Sequence, residues 1–135
     1  MKDLYVLITG NKYYGLCKAI CNLFDSVDNI SYRTASRSNN WSLDRGEEQE
    51  RLAEYFIKEK FDIFINNSEL WKFHQIMIAE QIYSNCVEKE RSAHIINIGS
   101  TADTGVKGRT WRYPTEKKAL KNYNRDLTYM NTGRI

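Results

Sequence analysis

The fold is decided by the stretch LYVLITGNKYYGLCKAI, residues 4–20, near the start of the chain. Residues 4–8 form a continuous apolar run, which is typical of a strand buried on both faces of a sheet. A turn containing Gly10 and Gly15 follows, and apolar residues then recur three and four positions apart. The stretch therefore predicts a buried strand, a tight turn and an amphipathic helix.

The same alternation continues along the chain. Further strands, rich in β-branched and aromatic residues, are predicted at 30–35, 61–65 and 94–98, with a brief edge strand at 41–43. Helices are predicted at 16–27, 47–60, 70–90 and 114–131. Alternating strands and helices imply parallel pairing with right-handed crossovers. We therefore expect an α/β fold: a Rossmann-like, doubly wound parallel sheet in three layers (αβα), forming one domain over residues 1–135.

Composition excludes several classes of protein. The 135 residues fit one domain, and 41% hydrophobic with 27% charged residues excludes collagen-like, low-complexity and highly charged disordered chains. A net charge of +3 does not by itself indicate a polyanionic partner. The basic stretch 107–125 could contact a phosphate backbone, but a solvated helix face explains its charges better. We expect neither a nucleic-acid nor a membrane partner.

The cysteines and the apolar runs suggest the compartment. No run is long enough for a signal-peptide core or a membrane span. Cys17, Cys21 and Cys86 are too few for a disulfide scaffold, so we expect free core thiols in a reduced, cytoplasmic protein. His74 and His94 lie far from the first two cysteines in sequence, so no metal site is expected.

Ligands of open parallel sheets bind beyond the carboxyl ends of the strands, so chemistry is sought there. After the first strand, the turn at 10–15 would let backbone N–H groups approach a pyrophosphate, although an ordinary strand-to-helix turn looks the same. After the second, Arg37 could bind the 2′-phosphate of NADP or be a solvated surface residue. Asn66 and Asn67 follow the third strand, and Ser100 follows the fourth.

A tyrosine and a lysine follow Ser100 at a suggestive spacing. Tyr113 lies thirteen residues beyond Ser100, and Lys117 stands four residues further on in a predicted helix. This spacing places both on one helix face, where the ammonium lowers the pKa of the phenol from about 10 and makes it a usable general acid/base. A second such pair, Tyr14 and Lys18, shows that spacing alone is not decisive. The position after Ser100 is the informative feature.

Together these landmarks resemble the motifs of the short-chain dehydrogenase/reductase family. They are Thr-Gly and a second glycine within 9–15, Asn-Asn at 66–67, Ile-Asn-Ile-Gly-Ser at 96–100 and Tyr-x-x-x-Lys at 113–117. They occur in the family's order and each follows a predicted strand. The resemblance covers nearly the whole chain and implies a single NAD(P)-binding domain.

The resemblance implies a set of cofactor contacts. Gly10, Lys12 and Gly15 would line the cofactor phosphates. Arg37 would favour NADP, with NAD as the alternative cofactor. Asn66 would support the region beside the nicotinamide ribose.

The resemblance also implies a reaction. Ser100 would polarise a substrate carbonyl and Tyr113 would transfer the proton. Lys117 would bind the ribose hydroxyls and lower the pKa of Tyr113, and both side chains would lie against the cofactor. The expected function is NADP-dependent hydride transfer to or from a small carbonyl or alcohol, in a homo-oligomer, dimer or tetramer. The alternative is a catalytically inactive, Rossmann-like module that binds a nucleotide or a protein.

The sequence departs from the family pattern in several places. Cys17 stands at the third glycine of the first motif and is expected to push helix and strand slightly apart. Ser68 and Glu69 replace Ala-Gly after the two asparagines, and Asn85 is only a poor candidate for the helix asparagine of the catalytic tetrad. The chain ends at Ile135, before the family's sixth strand, so we expect it to lack the C-terminal part.

Overall fold

The computed structural model describes residues 3–68, 73–99, 112–130 and 135, with residues 112–114 and 129–130 described by their backbone only. The strands are β1 (Leu4–Thr9), β2 (Ile30–Ala35), β3 (Ile63–Asn66) and β4 (His94–Asn97). The helices are α1 (Gly15–Asp25), α2 (Gly46–Lys58), α3 (His74–Glu88) and α4 (Arg112–Met130), with a 3₁₀ turn at Arg37–Asn39. None of these helices, within the ranges described, is long and apolar enough to cross a membrane.

The four strands are parallel and lie in the order β2-β1-β3-β4. β1 pairs along its whole length with β2, ending with Thr9 opposite Ala35, and pairs with β3 on its other side. The chain moves outward from β1 to β2 and then crosses back to β3, so the strand order reverses between β1 and β3. The predicted Rossmann-like α/β fold is confirmed.

Two apolar cores cover the two faces of β1. Val6 and Ile8 face α1 and pack against Cys17 and Cys21. Leu7 faces the other side, where residues of α2 and α3 complete a larger cluster. Because helices cover both faces of the sheet, the predicted three layers are confirmed. That residues 1–135 form a single nucleotide-binding domain stays a prediction.

The predicted edge strand at 41–43 is wrong. After β2 the chain makes a 3₁₀ turn, and Asn40 adopts a left-handed conformation with φ of 73° that redirects the backbone. Trp41 then packs on the Tyr55 ring, 5.4 Å between centroids, and lies 3.7 Å from the Arg51 guanidinium carbon. Aromatic and cation–π packing, not strand pairing, holds this segment.

The apolar pattern that predicts α1 coincides only in part with the buried side of the helix. Its periodic apolar positions include Leu16 and Leu23, which the structure leaves exposed, while Cys17 and Cys21 are buried. Helix α1 is therefore rotated so that two small thiols, not two leucines, meet β1. A thiol behaves as a small hydrophobe, and it permits the closer approach of helix and strand.

Two leucines in equivalent secondary structure should respond differently to truncation. Leu52→Ala in α2 should lower the free energy of unfolding by about 2–5 kcal/mol, because Leu52 is 0% exposed. Leu23→Ala in α1 should change it by less than about 0.5 kcal/mol, because Leu23 is 63% exposed. Urea unfolding followed by circular dichroism measures both, and equal losses would contradict the packing described.

The thiols should be inert in the folded protein. Cys17, Cys21 and Cys86 are free and buried, as predicted, and burial raises the pKa of Cys17 to about 12 and of Cys86 to about 11. A raised pKa removes thiolate near pH 8, about a thousandfold for Cys17, and thiolate is the reactive form. Ellman's reagent should therefore label no thiol rapidly in the native state and three in denaturing urea. Rapid labelling without denaturant would argue against the buried positions.

Candidate functional site

A cleft of about 560 Å³ opens at the carboxyl ends of β1, β2 and β3. Three segments line it: the turn between β1 and α1, the segment after β2, and the loop after β3. The residues that matter below are Gly10, Gly15, Arg37, Trp41, Asp44 and Asn67. The cleft lies beside the point where the strand order reverses, which is where ligands of open α/β sheets bind.

The two glycines of the turn have different roles. Gly10 has φ of +133°, and a Cβ there would lie 2.9 Å from Asn67 Nδ2 and 3.2 Å from Cys17 Cβ. Gly15 has φ of +56°, and a Cβ there would meet nothing within 4 Å. Gly10 therefore permits close packing, while Gly15 leaves open space at the start of α1.

Cys17 occupies the space that Gly10 provides. The sequence predicted that a side chain at this position would push α1 away from β1. In the structure Cys17 is buried, and its Sγ lies 3.4 Å from where a Cβ of Gly10 would be. The missing Cβ of Gly10 accommodates the thiol.

The N-terminus of α1 suits an anion. Tyr14 is the N-cap residue and makes no side-chain capping hydrogen bond, and the first turn contains no acidic residue. The helix dipole places partial positive charge here. Asn11 Oδ1 accepts a hydrogen bond from the Tyr13 N–H at 2.9 Å and so orders the turn that leads into the helix.

A single hydroxyl links the two sides of the cleft floor. Thr9 is completely buried at the end of β1, and its Oγ1 accepts hydrogen bonds from the N–H groups of Asn67, at 2.9 Å, and Ser68, at 3.1 Å. The same oxygen lies 3.5 Å from the carbonyl of Ile65, to which it can donate. Thr9 therefore fixes the loop after β3 against the end of β1.

A charged pair stands on the β2 side of the cleft. Arg37 Nη2 lies 3.8 Å from Asp44 Oδ2, and the two side chains are 84% and 49% exposed. Both residues line the cleft together with Trp41. An exposed pair of this kind contributes little to stability, so a stronger anion can replace the carboxylate at the guanidinium.

Lys12 lies away from this cleft in the structure. Its Nζ is 5.3 Å from the centroid of the Tyr13 ring, and it lines a separate groove together with Tyr32. Tyr32 donates a hydrogen bond to Asp25 at 2.7 Å, and this contact raises the pKa of Tyr32. The side chain of Lys12 is therefore not positioned for the predicted contact with a cofactor phosphate.

A second group of polar side chains lies at the ends of β3 and β4. Asn66 is completely buried and donates from Nδ2 to the Gln75 carbonyl at 2.8 Å and to Asn97 Oδ1 at 2.9 Å. Asn66 Oδ1 is buried and receives no hydrogen bond from the described residues. Lys117 is also buried, and its Nζ donates to Gln75 Oε1 at 2.7 Å.

The predicted catalytic residues are described only in part. The backbone of Tyr113 lies in α4, one turn before Lys117, as the spacing predicts. The side chain of Tyr113 and the whole of Ser100 lie outside the described residues. Lys117 is therefore the one catalytic candidate whose side chain the structure positions.

Sequence reasoning missed Trp41 and Asp44 in the cleft and Gln75 beside Lys117. The sequence predicts Trp41 in an edge strand, whereas the structure places it at the cleft. Asn85, the poor candidate for the tetrad asparagine, donates from Nδ2 to the Gln81 carbonyl at 2.8 Å. A signal was present for Trp41 and Asp44, since both follow β2, but no local pattern distinguishes Gln75 from other polar residues of a helix.

Metal ligation receives no support from the parts of the chain that the structure describes. Among residues 3–68, 73–99 and 112–130, no group of three or more histidine, cysteine, aspartate or glutamate side chains is arranged to hold an ion. The cleft itself contains one carboxylate in this range, that of Asp44.

Comparison with known proteins shows a similarity of fold. No family sequence model matches the chain, and no curated protein matches it in sequence. Among solved structures, a short-chain dehydrogenase/reductase from Brucella melitensis described as glucose/ribitol dehydrogenase superimposes with a TM-score of 0.69 at 13% identity, covering 99% of this chain and 73% of that one.

Two further structures were solved with nicotinamide cofactors. A 4-hydroxyisoleucine dehydrogenase complexed with NADH and succinate matches with a TM-score of 0.70 at 16% identity, covering 93% of this chain and 72% of that one. FolM alternative dihydrofolate reductase 1 from Brucella suis, in complex with NADP, matches with a TM-score of 0.65 at 16% identity, covering 98% and 71%. The chain therefore has the fold of short-chain dehydrogenases/reductases, and the resemblance that its motifs indicate is confirmed at the level of the fold.

Proposed function

We propose that the cleft binds NAD(P) and that the protein is an oxidoreductase of the short-chain dehydrogenase/reductase type. The observation that carries the proposal is Gly15, whose left-handed backbone and open Cβ position lie at the N-terminus of α1 inside the cleft. A pyrophosphate needs close backbone approach and a positive helix end, and both coincide here. The cofactor-bound structures of the same fold support this assignment.

The residues present fit a dinucleotide. The N-terminus of α1 would take the pyrophosphate, and Gly15 leaves room for it. Trp41 lines the cleft as an aromatic surface, and its ring contacts Arg51 and Tyr55. Such a surface suits a flat base.

Arg37 would favour NADP over NAD. Its guanidinium is exposed at the cleft and pairs only loosely, at 3.8 Å, with Asp44. A 2′-phosphate carries more charge than a carboxylate and offers bidentate geometry, so it would displace Asp44 from Arg37. The same carboxylate repels the phosphate, so Asp44 limits the preference that Arg37 creates.

Catalysis would take place around Lys117, at the carboxyl ends of β3 and β4. The bound nicotinamide supplies the hydride chemistry. Lys117 would hold the ribose hydroxyls and favour the phenolate of Tyr113, which would exchange a proton with the substrate oxygen while Ser100 polarises it. The substrate class is a small carbonyl or alcohol. The predicted homo-oligomer and cytoplasmic location stay predictions.

Cofactor binding should stabilise the folded protein by mass action. NADPH at a hundredfold excess over its Kd should add about 2.7 kcal/mol, which raises Tm by about 3–5 °C per kcal/mol for a chain of this size. Arg37→Glu should reduce the NADPH shift strongly and leave the NADH shift intact, because only NADPH carries the 2′-phosphate. Differential scanning fluorimetry with both nucleotides measures this.

The matched control is Arg125→Glu, which makes the same change of charge at an exposed arginine that pairs with Asp126 in α4. It should leave both shifts unchanged. Absence of a shift with either nucleotide in the wild-type protein would refute the cofactor site.

Removing the Tyr113 hydroxyl should separate the two candidate functions. Tyr113→Phe should lower carbonyl reduction by about 10²–10⁴-fold, the usual contribution of a general acid, with NADPH affinity unchanged. Tyr123→Phe in the same helix loses a hydrogen bond to Glu80 and should keep full activity. Nucleotide binding with no turnover, in wild type and variants alike, would instead favour the catalytically inactive module.

A further inference from the structure

The polar side chains at the ends of β3 and β4 form a connected group, which we call the carboxamide cluster: Asn66, Gln75 and Asn97. Asn66 joins the other two through its Nδ2. We propose that Gln75 is a positioning residue for Lys117: it fixes the ammonium at one place beside the ends of both strands. The catalytic consequence rests on the proposed function, whereas the contact itself does not.

The orientation of the Gln75 carboxamide is determined by its neighbours. Nε2 donates to the carbonyl of Asn66 at 2.9 Å and to the carbonyl of Ile98 at 3.3 Å. Carbonyl oxygens only accept, so the reverse orientation would set oxygen against two oxygens. The acceptor Oε1 must therefore face the other way, where Lys117 Nζ lies at 2.7 Å.

The cluster makes Gln75 a rigid anchor. Its side chain bonds to the Asn66 carbonyl while its own carbonyl accepts from Asn66 Nδ2, so the two residues hold each other reciprocally. The Asn66 carbonyl also accepts the N–H of Ile98 at 3.1 Å, which ties the end of β3 to the end of β4. Gln75 is 5% exposed, so these bonds are shielded from water.

Lys117 needs such an anchor because its side chain is flexible. A lysine has a four-carbon stem with free rotamers, and a buried ammonium requires strong acceptors. Lys117 is 5% exposed, and besides Gln75 it lies 3.5 Å from the Ile98 carbonyl. A carboxamide acceptor orients the ammonium without cancelling its charge.

The test uses variants that distinguish two roles of Gln75. One is donating hydrogen bonds to the carbonyls of Asn66 and Ile98, and the other is accepting a hydrogen bond from Lys117. Gln75→Met removes both donors and the acceptor, and keeps the length of the side chain. Gln75→Glu loses the donors but retains an acceptor for the ammonium. Gln49→Met is the matched control, because Gln49 is equally buried and bonds to the Leu43 carbonyl and His74 without contacting Lys117.

The first readout is independent of activity. Reductive methylation followed by peptide mass spectrometry gives the labelling rate of Lys117 relative to exposed Lys118. Lys117 should label slowly in wild type, Gln75→Glu and Gln49→Met, and about tenfold faster or more in Gln75→Met, because a charge-assisted bond is lost. A purely structural role would make Gln75→Met and Gln75→Glu alike, and that result would overturn the proposal.

A measurement on the wild-type protein covers the case in which Gln75→Met does not fold. The ammonium protons of Lys117 should exchange slowly enough to give a ¹⁵N-correlated signal, while those of Lys118 exchange too fast to be seen. Failure to observe Lys117 under conditions that preserve the fold would contradict a fixed ammonium.

The second readout is a double-mutant cycle in kcat. Gln75→Met should lower kcat more than it raises the KM for NADPH, and in a Lys117→Met background it should cause no further loss. Equal losses in both backgrounds would show that Gln75 acts independently of Lys117. If no turnover is found for any nucleotide while the labelling results hold, the proposed function fails and the positioning role stands.

Discussion

The parallel pairing of β1 with β2 on one side and β3 on the other is the constraint on which the site depends. It brings the carboxyl ends of three strands to one edge and reverses the strand order there. Two local features shape the cleft at that edge. The Thr9 hydroxyl holds the loop after β3, and the missing Cβ of Gly10 admits Asn67 and Cys17. A larger residue at Gly10 would move α1 and the loop together.

The two sides of the site use charge in opposite ways. Arg37 is exposed and loosely paired with Asp44, so a ligand can exchange with its partner at little cost. Lys117 is buried and held by Gln75, so moving it would leave an ammonium without its acceptor in a dry environment. The first arrangement suits recognition of a ligand that arrives from water. Under the proposed function, the second would suit a group that has to be in position before the reaction occurs.

The sequence predicts the ranges of the strands better than it predicts how the side chains around them pack. β2 matches its predicted range, and β1 differs from its prediction by one residue, because a run of apolar residues in a buried parallel strand has few alternatives. The edge strand predicted at 41–43 is wrong, because Trp41 packs on the Tyr55 ring and the Arg51 guanidinium and the segment pairs with no described strand. The apolar pattern of α1 does not identify its buried positions, because it contains Leu16 and Leu23, whereas Cys17 packs against Gly10. The contact between Gln75 and Lys117 could not be predicted from the sequence, since it depends on two strands and a helix that are distant in sequence.

The chain shares its fold with the solved structures described above at 13–16% sequence identity. The requirements of the sheet edge are few and local: an apolar run, a hydroxyl at its end and a residue without a Cβ. Other positions can change if a neighbour compensates, as Cys17 does against Gly10. Because one fold supports many chemistries, likeness of fold identifies the cleft but not the reaction. Under the proposed function the reaction would depend on the ammonium of Lys117, which donates a hydrogen bond to the carboxamide oxygen of Gln75 at 2.7 Å.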